Sequence, residues 1–248
     1  MLKKIFKNKN EIFTLSESNS TSIILHHHLG LGDNIICNGL VNKISKNFDK
    51  IFLPVKVNYM EMIKFLYSDN KKITFFEVSD KNSNEDVEKY SNANNLQVLK
   101  IGFNKVKNND FNTWFYEQLG FPYEDSYKYF HIPNDEGKGL ELKEHLFKFY
   151  NIDSEEYILV HNESHDKQFN LNEINNKNIV HISPKSDKFN NIFFYKTLIK
   201  NAKEIHCINS SFLHLVERIP TNSNLIYHHI RKSKFKLHEK WKVIKYED

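Results

Sequence analysis

The stretch HHHLGLGDNIICNGLV, residues 26–41, decides how the chain is organised. It contains three of the seven glycines in a chain of 248 residues. The apolar run SIILHHH, residues 22–28, leads into the glycines, and Ile36, Leu40 and Ile44 then recur at a helical spacing. The pattern predicts a strand that ends in a glycine turn and continues directly into a helix.

The glycines of that turn, Gly30 and Gly32, indicate that something approaches the backbone closely. In an open parallel sheet, ligands bind outside the carboxyl ends of the strands, where free amides at a helix start can meet an anion. A tight turn without a ligand is the alternative interpretation. His28 and Asn34 flank the glycines and belong to the same candidate site.

Asp33 follows the second glycine directly. A carboxylate in the first turn of a helix is favoured by the helix dipole and by capping. At the ligand-binding edge of a sheet, the same carboxylate can act as a general base. The residue pattern leaves both roles open.

Along the rest of the chain, short apolar runs alternate with amphipathic stretches, which predicts parallel sheets covered by helices. Strands are expected at residues 22–28, 50–55, 73–78, 96–101, 157–161, 179–182 and 204–208, and helices at residues 34–47, 58–67, 136–150, 192–201 and 212–219. We interpret residues 80–95 as a polar connection. Residues 235–244, FKLHEKWKVI, are expected to form a closing helix that packs a tryptophan for structural reasons.

The polar, glycine-containing stretch Pro133–Gly139 is the best candidate for a linker. It divides the chain into an N-terminal domain at residues 1–140 and a C-terminal domain at residues 141–248. We therefore expect an α/β fold in which two Rossmann-like halves face each other across a cleft.

The composition limits the possible classes of protein. Hydrophobic residues make up 40% and aromatic residues 14% of the chain, enough for a packed core. The chain has no apolar run of membrane-spanning length, and its first ten residues lack the features of a signal peptide. Cys37 and Cys207 lie in apolar stretches, so buried thiols in a reducing compartment are expected. The protein is expected to be cytoplasmic.

The C-terminal region is basic. Residues 228–245 contain seven Lys or Arg against one Glu, although the net charge of the chain is only +4. Such a region is a solvated surface or an anion-binding one, which includes peripheral contact with a membrane. Arg231 lies within it, and its planar guanidinium suits a phosphate or carboxylate. No nucleic-acid module signature is present, so a nucleic-acid partner is not expected.

Three common glycine motifs do not match GLGDNI, residues 30–35. A dinucleotide fingerprint needs a third glycine and an acid at the end of the second strand, which here ends in LPVK. A methyltransferase-like adenosyl site needs that acid as well. A Walker A loop needs Gly-Lys-Ser/Thr, which is absent from the chain. No cofactor is therefore expected.

GLGDNIICNGLV resembles the N-terminal turn of the GT-B glycosyltransferases related to the bacterial lipopolysaccharide (ADP-heptose) heptosyltransferases. In that family a strand runs into Gly-x-x-Gly-Asp and then an apolar helix. A second stretch, INSSFLHLVERI at residues 208–219, is similar to the family's donor motif, Asp-Thr-Gly-Leu-Met-His-Leu-Ala, at a helix N-terminus that holds the nucleotide phosphates. Ser210 and His214 fall at the Thr and His of that motif, whereas Asn209 and Ser211 replace its acid and glycine.

The resemblance implies a glycosyltransferase that moves a sugar from a nucleotide-diphosphate sugar to a hydroxyl acceptor, on a glycan or a lipid-linked sugar. Asp33 matches the family's catalytic base. The residues assigned to the donor are Ser210, Ser211, His214, Lys167 and Arg231. Those assigned to the acceptor-side turn are His28, Gly30, Gly32 and Asn34.

The chain contains no Asp-x-Asp, the element with which metal-dependent transferases bind their cation, so a metal-independent reaction is expected. Two alternatives remain, because the fold does not determine the chemistry. One is a nucleotide-sugar epimerase or hydrolase. The other is a non-catalytic protein that binds a carbohydrate or a nucleotide.

The remaining histidines have structural interpretations beside the functional ones. His26, His27 and His28 alternate faces on a strand, so they are not expected to converge on one metal ion. His214 is expected on the polar side of its helix. Ser210 and Ser211 are ordinary N-cap residues, a role compatible with phosphate binding.

His161 and the loop NESHDKQFN that follows it come after the first strand of the second half. Lys167 in this loop either neutralises a phosphate or is simply solvated.

Overall fold

The computed structural model of the protein describes residues 10–103, 110–164, 167–171, 174, 177–230 and 235–246. The chain divides into two compact units, Met1–Pro133 and Asn134–Asp248. The helix Glu136–Tyr150 therefore belongs wholly to the second unit. A boundary at residue 140 would lie inside this helix.

The first unit is an α/β unit whose five strands form one parallel sheet in the order β1-β5-β2-β3-β4. Its described elements are, in chain order, β1 (Glu11–Ile12), β2 (Ser22–His26), α1 (Leu31–Ile44), β3 (Lys50–Lys56), α2 (Met60–Leu66), β4 (Ile73–Val78), α3 (Ser83–Asn94), β5 (Gln97–Lys100), α4 (Phe111–Glu117) and α5 (Asp125–Lys128). The predicted strand–turn–helix around the glycines is confirmed, with the helix beginning before Asn34.

Helix α1 is the longest helix described in the first unit, and most of it is buried. Ile35, Ile36, Leu40, Val41 and Ile44 are each fully buried. A helix that is apolar over most of its circumference has to be surrounded by other elements. This packing holds the glycine turn at the N-terminus of α1 in a fixed place.

Residues 80–95 were expected to form a polar connection, and this was wrong, because Ser83–Asn94 is helical. The helix buries only Val87 and Ser91, so its apolar stripe is too narrow to be visible as a periodicity. Glu85 and Asp86 in its first turn interact favourably with the helix dipole. The helix ends at Asn95, whose backbone is left-handed with φ 51°.

The second unit has a parallel sheet of five strands in the order β12-β11-β10-β6-β9 and a small antiparallel hairpin, β7-β8. Its described elements are α6 (Glu136–Tyr150), β6 (Ile158–His161), β7 (Glu163–Ser164), β8 (Lys167–Gln168), β9 (Ile179–His181), α7 (Lys196–Asn201), β10 (Glu204–Cys207), α8 (Ser211–Val216), β11 (Asn224–His229) and β12 (Trp241–Lys245). Two parallel sheets with helices confirm the α/β class.

The closing helix predicted at residues 235–244 was wrong, because Trp241–Lys245 is a strand parallel to β11. The five residues pair in register with residues 225–229 at the edge of the sheet, and only Trp241 among them is buried. The burial pattern therefore has neither a helical period nor an alternation. The tryptophan is structural as predicted, since its indole N–H donates to the buried carboxylate of Glu217.

A chain of hydrogen bonds ties β12 to its neighbours. Glu204 Oε1 lies 2.6 Å from His206 Nε2, and His206 Nδ1 lies 2.8 Å from His228 Nε2. The chain of hydrogen bonds ends at the Tyr246 hydroxyl, 2.8 Å from His228 Nδ1. One assignment of protons satisfies these bonds: the Tyr246 hydroxyl donates to His228, each imidazole donates from Nε2, and the carboxylate accepts. Burial lowers the pKa of His228 to about 4, in keeping with a neutral ring.

Both cysteines are free and buried, as expected for thiols inside apolar stretches. Among the described residues, no helix combines the length and the apolar character needed to cross a membrane.

Candidate functional site

The order of strands in the first sheet defines a ligand-binding position. The chain proceeds from β2 to β3 and β4 on one side and then returns through β5 to the other side of β2. The carboxyl ends of β2 and β5 therefore flank the point where the strand order reverses, which is where open α/β sheets bind ligands. His26 and Lys100 are paired in register there.

The turn between β2 and α1 is capped without a cap side chain. Gly30 is the N-cap residue, and its N–H donates to Asp33 Oδ2 at 3.2 Å. Its carbonyl accepts both the backbone N–H of Asn34 at 3.0 Å and the side-chain amide of Asn34 at 2.9 Å. Asp33 and Asn34 thus fold back onto the same glycine and fix the start of the helix.

Gly30 and Gly39 are required by the close packing of neighbouring atoms and not by an unusual backbone conformation. Gly30 has φ −67°, which any residue adopts, but a Cβ there would lie 2.6 Å from Asp33 Oδ2. A Cβ on Gly39 would lie 2.7 Å from the carbonyl oxygen of Asp125, at the start of α5. Gly32 lies in the first turn of α1. Gly30 is therefore needed so that the carboxylate of Asp33 can lie against the turn.

Asp33 is half-buried at the carboxyl edge of the sheet. Burial raises the pKa of its carboxyl group, while the His28 ring, the Gly30 amide and the Lys56 ammonium act in the opposite direction. In the described part of the chain, Oδ2 is bound by the Gly30 amide and no hydrogen bond reaches Oδ1. The capping role is confirmed, and it uses only one of the two carboxylate oxygens.

His28 is exposed, and its ring contacts two aromatic rings. Its imidazole meets Phe103 and Phe115 edge-on, with centroids 5.2 and 5.5 Å apart. The strand ends at His26, and the next side chain, His27, is buried with its Nδ1 against the carbonyl of His28. His27 thus turns away from the other two histidines, and the described residues hold no cluster of metal-ligating side chains.

Lys100 lies beside His26 at this edge, and sequence patterns did not single out the lysine. Both are buried, with Lys100 Nζ 3.3 Å from His26 Nδ1 and 3.2 Å from Asn84 Oδ1. Glu11 supplies the nearest carboxylate at 3.5 Å. Burial lowers the pKa of Lys100 and lowers that of His26 to about 2, so the ring is neutral and accepts from the ammonium. The signal was a lysine within the mostly apolar run LQVLKI, residues 96–101.

The second sheet has its own reversal point, between β6 and β10. The chain runs from β6 to β9 on one side and to β10 on the other. Helix α8 follows β10, with Ser210 as its N-cap residue and the hydroxyl accepting the N–H of Leu213 at 3.3 Å. Ser211 is the first helical residue, and both serines are half-buried. The predicted N-cap role of Ser210 is confirmed.

His214 was expected on the polar side of α8, and this was wrong. The residue is 5% exposed, and its ring lies edge-on to Phe235 at 5.5 Å. A segment near the C-terminus covers this face of the short helix, so the apolar stripe alone did not define what is buried. Burial, together with the charge of Arg218, lowers the pKa of His214 to about 3, and the ring is neutral.

At the end of β6, His161 stacks on Phe212 of α8 with centroids 5.5 Å apart. Burial lowers its pKa to about 4, and its buried Nδ1 bonds to no other described residue. Glu163 follows, accepts a hydrogen bond from the Ser183 hydroxyl at 2.9 Å and acts electrostatically on His161 and His181. This carboxylate was not singled out, because Ser183 and His181 reach it from the end of β9, which no local pattern reports.

Lys167 lies on the hairpin strand β8 with an exposed side chain, its ammonium 5.0 Å from the ring centroid of Phe169. It is free of carboxylate partners among the described residues and points to no ligand by itself. Arg231 lies outside the described residues.

Neither a family model nor a curated protein matches the sequence. Among solved structures, the fold is similar to the crystal structure of a glycosyl transferase family 9 protein from Veillonella parvula DSM 2008, with a TM-score of 0.57 and 11% sequence identity. The similarity covers 93% of this chain and 89% of that chain. Likeness at this level of identity concerns the fold and not the chemistry. The chain has the fold of that glycosyltransferase.

Proposed function

We propose that the protein is a glycosyltransferase that moves a sugar from a nucleotide-diphosphate sugar to a hydroxyl group of a glycan or lipid-linked acceptor. The observation that carries the proposal is Asp33, a carboxylate beside a strand-order reversal. One of its oxygens is held by the helix cap, and the other has no hydrogen bond to the described residues. The similarity to a solved glycosyltransferase structure supports the same reaction class.

In the proposed reaction, Asp33 removes the proton of the acceptor hydroxyl as that oxygen attacks the donor sugar. A carboxylate whose pKa is raised by burial is a stronger base than an exposed one. His28 and Lys56 stabilise the ionised form, so the group is kept ready to accept the proton. Gly30, Gly32 and Asn34 hold the carboxylate in place.

The donor would be held by the second unit. Its diphosphate would meet the start of α8 at Ser210 and Ser211, with His214 as a neutral hydrogen-bond donor and Lys167 and Arg231 as cations. Negative charge on the departing nucleoside diphosphate is then stabilised by protein groups, without a metal ion. The basic C-terminal region would contact a membrane surface if the acceptor is lipid-linked.

A thermal-shift screen against nucleoside diphosphates and nucleotide sugars tests donor binding, because a ligand that binds only the folded state raises the melting temperature. A transfer assay with the donor found in this way, with and without excess EDTA, tests the reaction. We expect sugar transfer that persists in EDTA.

Other outcomes of these assays identify the alternatives. Consumption of the donor without an acceptor indicates a hydrolase or epimerase. Binding without turnover, unchanged by Asp33→Asn, indicates a binding protein. Loss of activity in EDTA with rescue by Mg²⁺ or Mn²⁺ contradicts the metal-independent reaction.

A further inference from the structure

The turn that follows β5 is strongly constrained. The N–H of Gly102 donates to Gln118 Oε1 at 2.8 Å. The amide of the same side chain donates to the carbonyls of Lys100 at 2.6 Å and Phe13 at 3.1 Å. One glutamine from the end of α4 thus fixes the turn through both ends of its amide group.

Gly102 is required in this turn for two reasons. Its φ of +81° lies in the left-handed region that side chains rarely adopt. A Cβ there would also lie 2.4 Å from the ring of Phe115. The backbone therefore presses against Phe115, and the next residue, Phe103, projects at the carboxyl edge of the sheet.

Three basic side chains hold the ring of Phe103. The ammonium of Lys100 lies over it at 4.2 Å from the centroid, and the rings of His26 and His28 lie 4.7 and 5.2 Å away. Phe103 nevertheless remains 37% exposed. Because Lys100 covers one face, a ligand can reach only the remaining ring surface.

This placement connects the ring to the proposed base. His28 contacts Phe103 directly and acts electrostatically on Asp33. Phe103 and Asp33 therefore border the same edge, one as an apolar surface and the other as a proton acceptor. Ligand sites commonly combine an aromatic wall with a few polar groups that set orientation.

Resting on the proposed function, we propose that Phe103 is the platform on which the acceptor sugar stacks. The electron-rich face of an aromatic ring attracts the weakly positive C–H groups on one face of a pyranose. A sugar that lies flat on Phe103 can direct a hydroxyl toward Asp33. The ring is held before binding by Lys100, His26 and His28, so little ordering is needed when the sugar arrives.

Saturation-transfer NMR with the methyl glycosides of glucose, galactose and mannose tests the platform without requiring any transfer reaction. We expect at least one glycoside to bind the wild-type protein through a C–H face. Phe103→Leu, which keeps apolar bulk, should abolish the signal, and Phe103→Trp should retain it. Phe149→Leu is the matched control, since Phe149 is an aromatic residue 53% exposed on α6.

A second readout uses the transfer reaction once a donor and acceptor are known. Phe103→Leu should raise the acceptor KM about tenfold with kcat and donor affinity nearly unchanged. Absence of glycoside binding to the wild-type protein, equal loss in Phe149→Leu, or an unchanged acceptor KM in Phe103→Leu would each overturn the platform. Glycoside binding through Phe103 without transfer would keep the platform and reject the transferase.

Discussion

The two turns that follow central strands, β2 to α1 and β10 to α8, are built in opposite ways. In the first, the cap residue Gly30 has no side chain, and the carboxylate of Asp33 turns back to accept its N–H. In the second, the cap residue Ser210 uses its own hydroxyl to accept the N–H of Leu213. Both solve the same problem of unpaired amides at a helix start.

The difference determines what each turn can do chemically. The first turn carries an ionisable group whose pKa is raised by burial and which lies near Lys56. The second carries a neutral hydroxyl and the neutral, buried ring of His214. A proton can be exchanged at the first turn, whereas the second offers hydrogen bonds that stay the same over the ordinary pH range. This contrast supports acceptor activation in the first unit and donor binding in the second.

The largest expected effect follows from Asp33→Asn. Loss of a general base should lower the transfer rate at least about a hundredfold. The fold should be kept, because the asparagine carbonyl can still accept the Gly30 N–H. Steady-state rates and melting temperature measure the two effects, with Asp69→Asn as a control on an exposed acid of the same unit. Retention of most of the turnover would leave only the capping role.

The next effect tests the glycine that makes room for the carboxylate. In Gly30→Ala the new Cβ would overlap Asp33 Oδ2, so the carboxylate has to move. A displacement of about 1 Å in a catalytic group costs on the order of a hundredfold in rate. We expect a loss of about ten- to a hundredfold.

Gly137→Ala is the matched control, since the nearest atom to its Cβ would be Asp135 Oδ1 at 3.7 Å. That variant should keep full activity. Equal activity in the two alanine variants would show that the position of the carboxylate is not critical.

A smaller effect is expected at the second turn. A lost hydrogen bond to a charged group is worth about 1.5–3 kcal/mol, so His214→Ala should weaken nucleoside diphosphate binding about tenfold or more. Since its pKa is lowered to about 3, the ring stays neutral from pH 5 to 8 and this difference should not change with pH. Calorimetric titration measures both, and His214→Gln should recover part of the affinity. Normal binding by His214→Ala, with loss on changing Gly30, would move the nucleotide to the first unit.

Local sequence patterns predicted the helices and strands that pack an apolar face against the rest of the protein. The strand Ile73–Val78 and the helix Glu136–Tyr150 have the bounds expected from their sequence. Helix α3 was missed because it buries only two side chains. Strand β12 was predicted as a helix because a short edge strand with one buried residue leaves no alternation in the sequence.

The candidate site was predictable only where one segment contains it. The turn from Gly30 to Asp33 is contiguous, so its motif was visible. Lys100 becomes part of the edge because β5 lies beside β2, a pairing that no local pattern reports. His214 was misplaced for the same reason, since Phe235 covers it from a distant part of the chain.

The smallest expected effect concerns the pH dependence of the first turn. Asp33 has to be ionised to accept a proton, so kcat/KM falls as the pH drops through its pKa. Lys56 lowers that pKa, and its ammonium is shared with Asp80 at 2.9 Å. Lys56→Met should therefore move this fall of kcat/KM, the acidic limb of the profile, to higher pH. The expected shift is less than about one pH unit, because the charge of Lys56 is partly exposed. Asp80→Asn should move it to lower pH, because the ammonium then acts on Asp33 alone.

Lys64→Met, which removes an exposed ammonium paired with Glu61 at 3.0 Å, is the control and should leave the limb in place. Profiles of kcat/KM against pH for the three variants decide the matter. Opposite shifts from the lysine and the aspartate would identify Asp33 as the titrating base, because Lys56 acts on its carboxylate and Asp80 competes for that ammonium. If the acidic side of the kcat/KM profile stays in place in both variants, the titrating group is not Asp33. The first turn would then supply no catalytic base.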